Sequence, residues 1–388
     1  MSTIPTTDVV VVGAGVAGLS VAWRARTRYG LAVTVVDPTP GAGASHAAAG
    51  MLTPVSELQY GEESLLRLSI ESARRYPEFA AELAEAAGLP SGYRACGTIA
   101  VALDADDRAV LKDLHAHQQR LGLHSSWLTS RECRRLEPML SPAITGGLHV
   151  EDDHQIDNRL LVAALLAACA RAGVGFVRER VERVLVADER AYGVRLPDGR
   201  DLIADQVLLA AGARSALIPG LPPEAVPPVR PVKGEILRLR VPPALLPLLS
   251  RNVRGVVKGG SMYLVPRADG ELVIGATEHE LGHDTEVTAG GVYELLRDAH
   301  ELVPGITELP LVETLAGLRP GSPDNAPILG RSALAGLVVA TGHYRHGILL
   351  TPITADTVAE ALAHGTTPEL IEPFGPDRFA SAAREVMA

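Results

Sequence analysis

The segment 8–37 constrains the fold more than any other stretch of the chain. Four consecutive valines, residues 9–12, are typical of a strand that is buried on both faces. Gly13, Gly15 and Gly18 follow with the GxGxxG spacing. In that spacing the first glycine permits a tight turn, the second lets backbone approach a phosphate, and the third lets a helix pack closely against the strand. The pattern therefore predicts a strand, a glycine turn and a helix.

An acidic residue completes this unit. A second apolar run, residues 33–36, ends in Asp37, nineteen residues after Gly18. At this distance a carboxylate is expected to bind the ribose of a dinucleotide, while free N–H groups at the start of the helix face its phosphates. The segment predicts a dinucleotide site, with a plain tight turn in an α/β domain as the alternative. The motif alone does not separate FAD from NAD.

Length, charge and cysteine content exclude several classes of protein. The 388 residues suggest two or three domains, and the net charge of −10 comes without a basic stripe, which argues against nucleic-acid binding. The longest apolar run, residues 160–170, is too short to cross a bilayer, and the first seven residues lack the features of a secretory signal. Cys96, Cys133 and Cys169 are far apart and odd in number, so we expect neither a disulfide framework nor a thiolate metal site. We expect a soluble, cytoplasmic protein.

Apolar periodicity predicts the remaining elements. Five further helices are predicted at 62–87, where Pro77 should kink or split the helix, at 106–121, at 160–172 with Asp157 as N-cap, at 287–302, and from near His346 to about residue 363. Strands are predicted at 94–103, 174–177, 181–187, 191–196, 201–204, 206–211, 235–240, 263–266, 271–275 and 337–340. Hairpin turns are expected at Asp198-Gly199 and Asp269-Gly270, and the proline-rich segment 219–231 predicts a crossing between domains.

Two stretches are too rich in small residues to pack a core. They are the segment 41–52 and the Ala-Ala-Gly sequence that ends at Gly212. Backbone without large side chains can lie directly against a flat ligand, so both stretches predict ligand contacts.

Four stretches carry a resemblance that spans nearly the whole chain: GAGVAG with Asp37, AAAGML at 47–52, AGLRPGSPDNAPILG at 316–330, and GHYRHGILLTP at 342–352. Through them the chain resembles the FAD-dependent amine oxidases of the D-amino-acid oxidase superfamily and, within it, the glycine oxidases of thiamin biosynthesis. The resemblance implies an α/β fold, in which an FAD-binding Rossmann-like domain of the glutathione-reductase type carries an inserted α+β substrate domain built on a mixed or antiparallel sheet. It places the FAD-binding domain at 1–90, 150–222 and 312–388, and the substrate domain at 91–149 and 223–311.

The resemblance also implies the FAD contacts. Besides Gly13, Gly15, Gly18 and Asp37, they are Val16, Ala17, Ala44, Ser45, Ala49, Gly50, Met51, Val181, His343, Tyr344, Arg345, His346, Gly347, Ile348 and Leu349. Some relatives attach FAD through a histidine near the alanine-glycine run, but His46 sits one residue off that place. We therefore expect non-covalent FAD.

Arg319, Tyr263 and Arg345 match the family's substrate contacts. A guanidinium can hold an amino-acid carboxylate through two parallel hydrogen bonds, and a tyrosine hydroxyl can add a third. A helix starting near His346 would aim its positive end at the flavin edge where charge accumulates on reduction. We therefore expect hydride transfer from a small neutral amine with no obligatory side-chain base, hydrolysis of the imine, and reoxidation by oxygen to give hydrogen peroxide.

Other functions remain open. HELGH at 279–283 matches the HExxH zinc-protease pattern, but it directly follows a strand and contains Gly282, so we expect no metal there. A D-amino-acid or sarcosine oxidase, a dehydrogenase that passes electrons to a quinone, and a non-catalytic nucleotide-binding protein with this fold are further alternatives. The expected partners are a small amine, oxygen and further copies of the chain in a dimer or tetramer.

Overall fold

The structure, a computed structural model, describes residues 7–379. Its strands are β1 (Thr7–Val12), β2 (Val33–Val36), β3 (Met51–Leu52), β4 (Tyr93–Arg94), β5 (Thr98–Ala102), β6 (Ser126–Leu128), β7 (Gly146–Val150), β8 (His154–Ile156), β9 (Gly175–Val177), β10 (Arg183–Ala187), β11 (Arg190–Arg195), β12 (Asp201–Leu209), β13 (Arg230–Arg240), β14 (Asn252–Val257), β15 (Gly260–Pro266), β16 (Glu271–Gly275), β17 (Leu311–Gly321), β18 (Ile328–Arg331) and β19 (Leu337–Thr341). Its α-helices are α1 (Val16–Tyr29), α2 (Ala44–Ala47), α3 (Glu63–Ala87), α4 (Ala105–Arg120), α5 (Ser130–Leu136), α6 (Asn158–Arg171), α7 (Ala289–Leu302) and α8 (Thr351–His364).

The first sheet is built around β1. It has the order β10-β11-β12-β1-β2-β9, with β19 also pairing with β12 and β18 with β19. Strands β12 and β2 run parallel to β1 on either side. Because side chains alternate along a strand, Val9 and Val11 enter the core formed with α1, α3, α6 and α8, whereas Val10 and Val12 enter a second core on the opposite face. The four valines are therefore buried on both faces, as their run predicts.

The second sheet has the order β17-β13-β16-β15-β14-β5-β7-β6. Its pairs are antiparallel except β14 with β5, and α7 packs against one face. The mixed α/β architecture confirms the predicted fold class. The domain boundaries stay a prediction. Residues 312–321, which we expected in the FAD-binding domain, pair with β13 in this second sheet and connect it to β18 of the first.

Several elements differ from their predictions. Helix α3 continues through Pro77 and does not split, because Tyr76 and Phe79 on either side of it are buried in the first core. The strand predicted at 94–103 is two strands, β4 and β5, and the two strands predicted at 201–211 are one, β12. Asp157 caps α6 as expected, accepting hydrogen bonds from the amides of Arg159 and Leu160. No helix within residues 7–379 is long and apolar enough to cross a membrane.

The terminal helix begins later than predicted. A short 3₁₀ turn covers Tyr344–His346, and α8 starts at Thr351 rather than near His346. Its first turn contains Pro352, which suits a helix start because proline has no N–H to leave unpaired.

Candidate active site

A cavity lies between the glycine turn of the first sheet and one face of the second. Its volume, including the part open to solvent, is about 1140 Å³. Most residues of the predicted site line it: Gly15, Val16, Ala17, Ala44, Ser45, Ala49, Gly50, Met51, Tyr263, Arg319, His343, Tyr344, Arg345, Gly347 and Ile348. The predicted residues Gly13, Gly18, Asp37, Val181, His346 and Leu349 do not line this cavity. Gly212, at the end of the second small-residue stretch, does line it.

The glycine turn has the shape that a dinucleotide needs. Gly13 has a φ of +107°, and a Cβ at this position would lie 2.8 Å from the carbonyl carbon of Ala210. Only glycine therefore fits between β1 and the end of β12. Asp37 supports the turn through its side chain, since Oδ2 accepts a hydrogen bond of 2.8 Å from the amide of Ala14. The ribose contact predicted for Asp37 stays a prediction.

The segment 343–350 exposes backbone N–H groups to the cavity. The carbonyls of Ile348 and Leu349 accept hydrogen bonds from the hydroxyls of Tyr76 and Ser72 on α3, each at 2.7 Å. The amides of Gly347 and Ile348 donate to no backbone acceptor in the described part of the chain. Donors without acceptors beside a cavity fit an electron-rich group of a ligand, as the flavin carbonyl edge is. The residues present therefore fit FAD.

Two histidines of this segment are neutral. Burial lowers the pKa of His343 and of His346 to about 4 in each case. Nε2 of His343 lies 3.0 Å from the hydroxyl of Thr354. Neither ring nitrogen of His346 has a hydrogen-bond partner among residues 7–379. His346 therefore sits in the structure as an uncharged ring behind the cavity wall.

The opposite wall is one face of the second sheet. Gly317 and Arg319 lie two residues apart on β17, so both point to this face. Gly234 on β13 pairs with Gly317, and Tyr263 lies opposite Gly275 on β16. Residues directly opposite each other on antiparallel strands share a face, which brings these side chains to one wall.

Arg319 is free to bind an anion. Its Nη1 donates hydrogen bonds to the carbonyl oxygens of Thr277 (3.2 Å) and Lys233 (3.4 Å). It forms no ion pair with a carboxylate in the stretch 7–379. A half-buried guanidinium without a counter-charge is costly unless a ligand supplies one. The structure thus places at the cavity a guanidinium that has no carboxylate partner in the described chain.

The neighbouring polar groups have partners within the protein. Burial raises the pKa of Tyr263, opposed by the charge of Arg319, so the hydroxyl keeps its proton as a donor. Arg345 pairs with Glu62 at 3.2 Å. The hydroxyl of Tyr344 donates to Glu278 at 2.7 Å, and burial raises its pKa to about 12.

Sequence reasoning missed one charged residue of the wall. Glu57 lines the cavity and pairs with Arg254 of β14. Burial raises the pKa of Glu57, but Arg254 and the other cations nearby more than offset this, so the net pKa is lowered. Glu57 belongs to a loop without periodicity, and no motif marked it.

The two histidine alternatives have no support in the structure. HELGH lies outside any helix: the backbone of His279 pairs with Lys233, and residues 282–283 form a turn. No group of three potential metal ligands is present among residues 7–379. His46 is exposed and does not line the cavity.

The fold and the cavity together define a flavin-dependent oxidoreductase. A family model described as "FAD dependent oxidoreductase" matches residues 8–361. The chain therefore belongs to that family, and FAD is its cofactor.

Similar proteins of known name are found over nearly the whole chain. The bifunctional protein ThiO/ThiG of Trichormus variabilis is 35% identical over 382 residues, which are 97% of this chain and 56% of that protein. This chain thus spans about half the length of that relative. The glycine oxidase of Geobacillus kaustophilus is 35% identical over 96% of this chain and 97% of its own length.

Solved structures show the same fold. A crystal structure of glycine oxidase from G. kaustophilus superposes with a TM-score of 0.87 and 33% identity, covering 97% of this chain and 99% of that one. A crystal structure of iminodiacetate oxidase from a Chelativorans species superposes with a TM-score of 0.85 and 29% identity, covering 95% and 98%.

Proposed function

We propose that this protein oxidises glycine, or a similarly small amine such as sarcosine or a small D-amino acid, to the corresponding imine. The observation that carries the proposal is Arg319, a guanidinium without a carboxylate partner in the described chain, set in the cavity that the FAD-binding turn borders. Similarity to glycine oxidases over nearly the whole chain supports the choice of substrate.

The residues of the second sheet position the substrate. Arg319 binds the carboxylate through two N–H groups, and the protonated hydroxyl of Tyr263 donates to the same group. Arg345, which also lines the cavity, is held by Glu62 and bounds the space left for the substrate. This fixes the Cα–H bond in one orientation, and orientation is a large part of the rate enhancement in such reactions.

FAD, when bound, accepts the hydride from the substrate carbon. The residues proposed to hold it are the glycine turn, the 44–51 segment and the free amides at 347–348. We propose that the binding is non-covalent, because His46 is exposed and does not line the cavity.

The substrate amine must enter uncharged for hydride transfer. The carboxylate side chain that lines the cavity in residues 7–379, Glu57, is held by Arg254, and its lowered pKa makes it a poor base. We therefore propose no obligatory side-chain base. Water then hydrolyses the glycine imine to glyoxylate and ammonia, and oxygen takes the electrons to give hydrogen peroxide. We further propose that the product supplies thiazole formation in thiamin biosynthesis, and that the enzyme is cytoplasmic and assembles as a dimer or tetramer.

A substrate panel tests this proposal. Purified holoenzyme is mixed anaerobically with glycine, sarcosine, D-alanine and, as a control of opposite chirality, L-alanine, while flavin absorbance is followed. Rapid bleaching by glycine or sarcosine is expected, with peroxide formed once air is admitted. A flavin that no small amine bleaches would overturn the proposal, and bleaching without peroxide would assign a different electron acceptor.

A further inference from the structure

The ion pair between Glu57 and Arg254 is not explained by FAD binding or by capture of one substrate carboxylate. Glu57 lies in the loop after β3, and Arg254 on β14 lies opposite Tyr263 on β15. Opposite residues of antiparallel strands share a face, so Arg254 points to the same side of the sheet as Tyr263. Its Nη2 also lies 3.4 Å from the hydroxyl of Ser261. Glu57 lines the cavity and Arg254 does not, so Glu57 is the member of the pair that a ligand meets.

The charges of three arginines and their carboxylate partners limit what the site can hold. Arg345 is balanced by Glu62 and Arg254 by Glu57, while Arg319 has no carboxylate partner within residues 7–379. One positive charge is left over. A glycine or sarcosine molecule with a neutral amine carries one negative charge, so it completes the balance. A second carboxylate would enter without a counter-charge and would face Glu57, and like charges brought together in a desolvated site repel strongly.

We propose that Glu57 is the specificity-determining residue that restricts this site to amines with a single carboxylate. It does so by neutralising Arg254 and by repelling a second carboxylate, and amino dicarboxylates are the class of substrate that it excludes. This inference rests on the proposed function, since it needs an amine bound through Arg319. The Glu57 carboxylate is ionised at neutral pH, because the cations around it hold its pKa below the usual range despite its burial.

Two matched pairs of small molecules test the proposal. Sarcosine and iminodiacetate differ only by the second carboxylate, as do methoxyacetate and diglycolate, which have no amine to be oxidised. Rate constants of anaerobic flavin reduction are measured for the first pair. Dissociation constants are measured for the second pair from perturbation of the flavin spectrum, a readout that needs no turnover.

In the wild-type holoenzyme, sarcosine should reduce the flavin more efficiently than iminodiacetate, and methoxyacetate should bind more tightly than diglycolate, each by about tenfold or more. Glu57→Gln keeps the shape and removes the charge that faces the ligand, and it leaves Arg254 without its counter-charge. Both preferences should therefore shrink by at least about fivefold. The matched control is Glu137→Gln, a buried carboxylate paired with Arg251 outside the cavity, which should leave both ratios unchanged.

The outcomes separate this inference from the proposed function. If wild-type flavin is not reduced by any small amine, the proposed function fails. If sarcosine reduces the flavin but Glu57→Gln shifts the two preferences by less than about fivefold, the inference alone is overturned. Should Glu57→Gln fail to fold, the wild-type comparison still decides, since diglycolate binding as tightly as methoxyacetate would overturn the inference without any variant.

Discussion

Gly234 leaves the space that the guanidinium of Arg319 occupies. A Cβ built on Gly234 would lie 2.6 Å from Cζ of Arg319, closer than real carbon atoms approach. The two residues lie on neighbouring strands, and both belong to the face of the second sheet that lines the cavity. The position of the guanidinium that we propose as the substrate anchor therefore depends on two residues that lie 85 positions apart in the sequence.

Replacing Gly234 with alanine should move Arg319 without removing it. We expect Gly234→Ala to retain FAD while the rate of flavin reduction by glycine falls at least about tenfold, because a misplaced anchor loses the substrate orientation. Anaerobic stopped-flow reduction measures this. Gly290→Ala is the matched control, since Gly290 is exposed on α7 and a Cβ there would meet the hydroxyl of Thr288 at an ordinary contact distance of 4.0 Å; this variant should keep the wild-type rate. A wild-type rate in Gly234→Ala would show that the position of the Arg319 guanidinium against Gly234 does not affect flavin reduction.

Asn158 holds the 44–50 segment against the cavity. Its Nδ2 donates to the carbonyls of Ser45 (2.8 Å) and His46 (2.9 Å), and its Oδ1 accepts from Arg267, which also donates to Ala49. Removing a buried partner leaves these groups unsatisfied at a cost of about 1 to 3 kcal/mol. We expect Asn158→Ala to weaken FAD binding by about tenfold or more in a titration of the apoprotein.

The control for this variant is Asn252→Ala. Asn252 is another fully buried asparagine, and it donates to Thr98 and His154 instead of to the 44–50 segment. Its loss should lower stability and leave FAD affinity near that of the wild type. Equal FAD affinities in the two variants would contradict the anchoring role of Asn158.

Stability should fall with decreasing pH because of His346. Its folded pKa of about 4 lies below the ordinary value of 6.5, so between these values the unfolded chain binds a proton that the folded protein does not. The stabilisation is complete above pH 6.5 and is lost progressively down to about pH 4, by on the order of 3 kcal/mol at most. The free energy of unfolding is measured with urea at several pH values. It should change less with pH in His346→Leu than in the wild type, whereas His124→Leu, at an exposed position, should keep the wild-type dependence on pH. An unchanged dependence on pH in His346→Leu would assign the effect to other groups.

HELGH should play no part in the chemistry. The segment lies outside any helix, so its two histidines are not held on one helical face. His279→Ala combined with His283→Ala should therefore leave the rate of flavin reduction within about twofold of the wild type. Metal analysis of the same preparations should find no stoichiometric zinc. Loss of activity on chelation, restored by zinc, would contradict this reading.

The local signals in the sequence were sufficient for the glycine turn, the two hairpins and most strands. They failed where distant segments decide the structure. The sequence of residues 344–350 favours a helix. In the structure the carbonyl of Ile348 accepts a hydrogen bond from the hydroxyl of Tyr76 and that of Leu349 from the hydroxyl of Ser72, both on α3, and the regular helix starts only at Thr351. Likewise, Pro77 interrupts no helix, because the surrounding core holds α3 together.

The candidate site, too, was only partly predictable from the sequence. Arg319 belongs to one of the four motifs that carry the resemblance, and Tyr263 was expected only because it matches a family position. The structure brings both to one cavity. Glu57 and Gly234 belong to no motif. Their importance comes from the residues that face them across strands and loops, Arg254 and Arg319, and pairings of this kind cannot be read from spacing along the chain.

Anaerobic reduction of Arg319 variants by glycine tests the central claim most directly. Arg319→Lys keeps the charge but loses the two parallel hydrogen bonds, and Arg319→Ala loses both. We predict that both variants bind FAD like the wild type. Their flavin should be reduced roughly 30-fold to several-thousand-fold more slowly, which corresponds to about 2 to 5 kcal/mol for a lost buried charge contact. Reduction of either variant at the wild-type rate would contradict the assignment of Arg319 as the anchor of the substrate.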